Sequence, residues 1–213
     1  MCIRDSAYAD LQRRAGDITT ELGAVLANQP DPSAELPEEN DLAEQLKMVA
    51  RMIAVHPVLG MKRQIFYVRM SGFDVHDHQN KEQPELFSKM ARALAYFQQS
   101  IDELGLGEQI TTFTASDFGR SLTSNGDGTD HGWGNHHLVM GGAVNGGDIY
   151  GTIPRMSVEG PDAVRNGRVI PTLSASQYAA SMLRWAGLEE GSLDTMLPDL
   201  GNFDSRDLGI LRG

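Results

Sequence analysis

The segment 114–151, TASDFGRSLTSNGDGTDHGWGNHHLVMGGAVNGGDIYG, concentrates Asp117, Asp127, Asp130, His131, His136 and His137 on glycine-rich backbone. Three of the six histidines of the chain lie there. A second cluster, Asp74, His76 and His78, sits in GFDVHDH at 72–78. Carboxylate oxygen together with imidazole nitrogen suits Zn, Mn or Fe, whereas carboxylates alone suit Mg or Ca. Asp74 and His78 are separated by three residues with His76 between them, so in an extended or turning loop all three can project to one side. The competing reading of either cluster is a solvated polar loop. Two such clusters, with a third acid–histidine pair at Asp130–His131, favour a site over that reading.

The elements that must position these side chains follow from periodicity. Tyr8 to Ala27 reads as an amphipathic helix, with Leu11, Ala15, Ile18, Leu22 and Val25 on one stripe. Asp41 to Val55 reads as a stronger one, ended by Pro57 and Gly60. Pro84 to Leu104 is the clearest helix, with Pro84 in its first turn and Gly105 just past its end. Gln64 to Met70 and Gln109 to Ala115 read as buried strands, and His137 to Met140 as a third. Ser176 to Ala186 reads as the last helix, and 145–170 as loop with room for a small hairpin. Strands joined by long helices predict an α/β fold with a mostly parallel sheet. The strands at 64–70 and 109–115 should then be parallel neighbours, with Asp74 and Asp117 facing one another beyond their carboxyl ends.

Other positions are ambiguous at this level. Arg120 can hold an anionic substrate oxygen or pair with Asp117. Of His136 and His137, adjacent before a strand, at most one can face the site. His56 precedes Pro57 at a helix end and reads as structural or exposed. There is no G-x-G-x-x-G after a strand and no G-x-S-x-G, so neither a dinucleotide fold nor a serine-hydrolase elbow is supported. Asn125 to Asp130 resembles a calcium loop only superficially, because Asp130 stands where an EF-hand needs Gly.

Length and composition bound the answer. The 213 residues are 40% hydrophobic and 22% charged, enough for one domain with a real core. A net charge of -11 argues against nucleic acid and against an anionic membrane surface. No apolar run is long enough to span a bilayer, and the first residues show no apolar signal region. Residues 1–6, MCIRDS, resemble a translated sequencing-adapter remnant, which would make the single Cys2 artefactual and leave 7–213 as the authentic part.

The segments GFDVH at 72–76, TASDFGR at 114–120 and GTDHGWGNHHLVMGGAVNGG at 128–147 closely resemble an uncharacterised bacterial family, domain of unknown function 1501. QYAASMLRWAGL at 177–188 is similar to its closing helix. That family is similar to the alkaline-phosphatase and sulfatase superfamily. The resemblance implies a three-layer α/β/α doubly wound sandwich, of which this chain is the C-terminal portion. It implies twin-arginine export to the periplasm and a bimetal centre, with Zn as the first expectation and Mn, Mg or Ca as others. The reaction implied is hydrolysis of phosphate or sulfate esters of a small molecule or polysaccharide.

Carried onto this sequence, the resemblance makes Asp74, His76 or His78, Asp117 and His131 the metal ligands, and Arg120 or His137 the groups that steady the developing anion. Phe118 stands where the superfamily's second metal has a His, so that site is altered or lost. The nucleophile is expected N-terminal to this chain, which alone would then be inactive. The alternative is an exported binding or assembly protein on the same fold without turnover. A carbohydrate esterase, suggested by the two Trp, is a weaker third reading.

Overall fold

A computed structural model describes residues 3–212, with side chains from residue 8 onward. Met1 and Cys2, which open the expected adapter remnant, lie outside the described residues. The chain divides into two compact units. One comprises 1–70 and 90–104, the other 71–89 and 105–213. Each is described by itself.

The first unit is helical. Helix α1 (Ile3–Ala27) forms as the periodicity predicts, but its apolar stripe is largely uncovered: Leu11 and Ile18 are exposed, and Leu22, Val25 and Leu26 half-buried. Helix α2 (Asp41–Ala54) starts where the Asn40 side chain accepts the Ala43 N–H, which satisfies one of the free amides of the first turn. Its face of Leu42, Ala43, Leu46, Ala50 and Ile53 is buried. Helix α3 (Gln79–Glu103) contributes Ala93, Tyr96, Phe97, Ser100 and Ile101 to the same core. It begins earlier than Pro84 suggested. Pro84 is inside the helix, where it lacks the N–H that would reach Asn80. The extra turn is held at its start by the His78 carbonyl, which accepts from the amides of Lys81 and Glu82. Gly105, at φ +70, ends α3 in the left-handed conformation that a side chain resists.

The strand expected at 64–70 does not form. Among the described residues this run carries no strand pairing, and Ile65 and Tyr67 are 84% and 87% exposed. An apolar run becomes a strand only when another strand satisfies its backbone, and none does so here.

The second unit is built from antiparallel pairs, and among the described residues no strand pair is parallel. Strand β1 (Thr111–Phe113) pairs antiparallel with β4 (Val139–Gly141). Strand β2 (Gly119–Ser124) pairs with β3 (Thr129–Gly132). Strand β5 (Ala163–Val164) pairs with β6 (Arg168–Val169). The last hairpin turns on Asn166 and Gly167, both at positive φ (60° and 70°), as a tight turn of the Asn-Gly kind requires. It joins the middle hairpin where Leu122 N–H donates to Gly167 O (2.9 Å) and Gly134 N–H to Val169 O (2.8 Å).

Helix α4 (Ala175–Trp185) opens on a reciprocal cap between Ser174 and Gln177. With helix α5 (Glu190–Met196) and the short turn at Pro198–Asn202 it encloses Ala180, Leu193 and Leu200, all fully buried. No helix is long and apolar enough among the described residues to cross a membrane.

These contacts set two expectations. Leu193→Ala should cost about 2–5 kcal/mol of stability, because the cavity cannot fill from solvent. Ser174→Ala should cost about 0.5–2 kcal/mol through loss of the cap. Urea unfolding of both variants checks this, and a Leu193→Ala loss below that of Ser174→Ala would contradict the packing described.

A candidate metal centre on the loop before α3 and the β2–β3 hairpin

The loop at 71–78 alternates. Phe73 is half-buried and Val75 buried, while Asp74 and His76 face outward on the same side. Of the inward pair, Phe73 meets the Phe87 ring edge-on at 5.5 Å. The backbone is tied down as well. Arg120 donates from Nη2 to the Phe73 carbonyl and from Nη1 to Thr129 O (2.7 Å). Asn125 Nδ2 donates to the His76 carbonyl at 3.2 Å. Gly128 allows this approach, because a Cβ there would stand 2.5 Å from the same carbonyl oxygen. Thr129 Oγ1 donates to Gln79 Oε1 at 2.9 Å, and the Gln79 N–H to Asp127 O at 3.2 Å. The hairpin tip therefore grips the loop that carries Asp74 and His76.

His131 comes from β3. Its Nε2 lies 2.7 Å from Asp74 Oδ1, and His76 Nε2 lies 3.0 Å from the same oxygen. The two imidazole rings are 5.1 Å apart, centre to centre. One ligand atom from each of Asp74, His76 and His131 falls within 4.8 Å of the others. The three side chains are 62%, 46% and 46% exposed, so the site is open to water. Hydrogen bonding from His131 holds the Asp74 carboxyl below its ordinary range; the charges of His131 and His76 and a hydrogen bond from His76 act the same way.

An ionised Asp74 can only accept, so each ring directs an Nε2–H at it. Ligation through Nε2 requires that proton to sit on Nδ1 instead. Asp130 Oδ1 lies 3.7 Å from His76 Nδ1, an ion-pair distance rather than a hydrogen bond, and accepts from Asn125 Nδ2 at 3.4 Å. A carboxylate near the second ring nitrogen favours the tautomer that ligation through Nε2 needs. The donor set fits a metal. Four-coordinate Zn with nitrogen and oxygen ligands places them roughly 3.3 Å apart, close to the spacings around Asp74.

The other residues expected at the site are elsewhere. His78 has φ +54°, which breaks the alternation and turns its ring to Asp127 (Nε2–Oδ2 3.7 Å). Asp117 is exposed and does not join the group of three. The crevice between parallel strand tips that placed Asp117 opposite Asp74 is replaced by a hairpin that brings His131 there. Arg120 pairs with backbone carbonyls through both Nη atoms rather than with Asp117. His137 stacks on Tyr178 (5.6 Å between centres), 3.5 Å from Thr114 Oγ1. Burial, then the charge of His136, pushes its pKa down, so at neutral pH it is uncharged.

Sequence reasoning missed the part played by Asp130 and Asn125. The signal was the Asn-Gly pair at 125–126, which marks a hairpin and so places 130 and 131 on a strand.

The family model described as protein of unknown function (DUF1501) matches residues 4–184, and the chain belongs to that family. No curated protein and no solved structure matches the chain.

Tyr178 offers a check on this packing. Its hydroxyl lies 3.3 Å from the carbonyl oxygens of both Thr114 and Leu138, and burial pushes its pKa up to about 12. The folded chain favours the neutral phenol, so this group's contribution is complete below its unfolded pKa of about 10 and is lost as pH rises from there toward 12. Between those pH values wild-type stability should fall more steeply than that of Tyr178→Phe. Equal slopes in denaturant titrations would show that the phenol is not buried as described.

Proposed function

We propose that Asp74, His76 and His131 form a divalent-metal centre and that this chain belongs to a metal-dependent hydrolase of phosphate or sulfate esters. The observation that carries the metal reading is the convergence of one carboxylate oxygen and two imidazole nitrogens within 4.8 Å. The ester reading rests on the resemblance of GFDVH, TASDFGR and the GTDHG block to the DUF1501 family, and on that family's likeness to the alkaline-phosphatase and sulfatase superfamily. The α/β/α doubly wound architecture and export to the periplasm belong to the same resemblance.

A divalent ion held there supplies Lewis acidity to an ester oxygen and to the attacking hydroxyl or water. The chain supplies the rest. Asp74 contributes the anionic ligand atom, and Asp130 sets a second carboxylate 3.7 Å from His76 Nδ1. Arg120 and Asn125 hold the backbone of the ligand loop against the hairpin. Zn, Mn and Fe suit the mixed set better than Mg or Ca, which prefer oxygen alone. The wide opening of the site also suits the alternative, an exported binding protein that holds an ion without turnover.

Calorimetric titration of the chain with Zn and Mn decides between outcomes. One ion should bind, and His131→Ala or Asp74→Asn should weaken it at least about tenfold. Asp117→Ala should leave binding unchanged. Absence of binding, or binding indifferent to His131→Ala, sinks the metal reading. A panel of phosphate and sulfate esters run with the loaded chain then separates hydrolysis from binding alone.

A further inference from the structure

The side chain of Phe118 lies flat on His131, with ring centres 3.9 Å apart and planes only 8° from parallel. This contact is built by the hairpin. Arg120 faces His131 across the β2–β3 ladder, and Gly119 faces Gly132. Phe118 is thus the diagonal neighbour of His131 on the same face, within reach for an aromatic ring. The intervening pair is Gly–Gly for a physical reason. A Cβ at Gly119 would stand 2.0 Å from Gly134 O, and one at Gly132 would stand 2.5 Å from the Arg120 backbone. The Phe118 backbone is held too: its carbonyl accepts from Asn135 Nδ2 (2.9 Å) and Ser116 Oγ (3.0 Å). The Arg120 guanidinium lies 5.3 Å from the centre of the Phe118 ring.

Among the described residues, His131 is paired with a carboxylate through Nε2, at Asp74, and not through Nδ1. A hydrogen bond at Nε2 sets that atom's distance to Asp74 but not the tilt of the ring plane; the flat Phe118 face sets the tilt. We infer that Phe118 is a positioning residue for the metal centre, fixing the plane of the His131 ring so that Nε2 is aimed at the point shared with Asp74 and His76. This rests on the metal reading proposed above. Phe118 makes no bond to an ion; it lowers the ordering cost that ion binding otherwise carries.

The test compares Phe118→Leu, which keeps apolar bulk without a flat face, with Phe118→Trp, which restores one. Stacking of this kind corresponds to about a 2- to 12-fold change in affinity. Zn affinity should fall by that factor in Phe118→Leu and recover in Phe118→Trp, while urea midpoints of the two variants agree. The Co-loaded chain should show a ligand-field spectrum altered in Phe118→Leu and restored in Phe118→Trp. Without any ion, the His131 ring protons should be shifted upfield by the Phe118 ring current in wild type, and this shift should vanish in Phe118→Leu. Unchanged affinity in Phe118→Leu, with Zn still bound by wild type, overturns the positioning role and leaves the metal reading standing. Failure of wild type to bind Zn or Co overturns both. A ring-current shift absent from wild type overturns the positioning role whatever the metal result.

Discussion

Two imidazole nitrogens converge on one oxygen, Asp74 Oδ1, at 2.7 and 3.0 Å. Much of the second unit around them follows from keeping that arrangement in place. Asp74 and His76 come from a loop with no internal ladder, and His131 from a strand of only four residues. Neither segment is rigid alone. The loop gains definition because the hairpin donates into its carbonyls at Phe73 and His76, and because Phe73 and Val75 point inward. The hairpin in turn needs glycines at 119, 128 and 132, where no side chain fits. Sequence composition thus turns into geometry through close backbone approach more than through apolar packing.

The two faces of this chain were unequally legible. Helices α2, α3 and α4 are visible in sequence because their apolar spacing, caps and terminal glycines agree. The N-terminal boundary of α3 was not, because the deciding contacts are the Asp127 and His78 carbonyls, one of them distant in sequence. The strands fared differently. Thr111–Phe113 and Val139–Gly141 lie within the expected regions or overlap them, yet nothing in either segment states which partner it takes or in which direction. Gln64–Met70 has strand-forming residues and no strand, since pairing is a property of two segments.

At the site, residue type identified the candidates and topology chose among them. Asp74, His76 and His131 were visible as candidate ligands by chemistry. Asp117 and His78 were equally plausible by chemistry and are set apart by backbone conformation: a positive φ at His78, and at Asp117 a position just before β2 rather than beyond a parallel strand. The hairpin tip at Asn125–Gly128, easily dismissed as an imperfect calcium loop, supplies the side chain that steadies both His76 and Asp130.

The exposure of Asp74, His76 and His131 has a consequence for the lifetime of any ion they hold. In small zinc-dependent domains the ion and the fold stand or fall together. Here the three side chains sit at the solvent boundary, while Leu193, Leu200 and the buried faces of α2 and α3 make their cores without them. The fold and any ion held there would therefore be separable. A chelator would reach such an ion from bulk water without opening the protein, and one cation would exchange for another as their free concentrations change. Occupancy would be set by the surrounding medium rather than sealed in at folding.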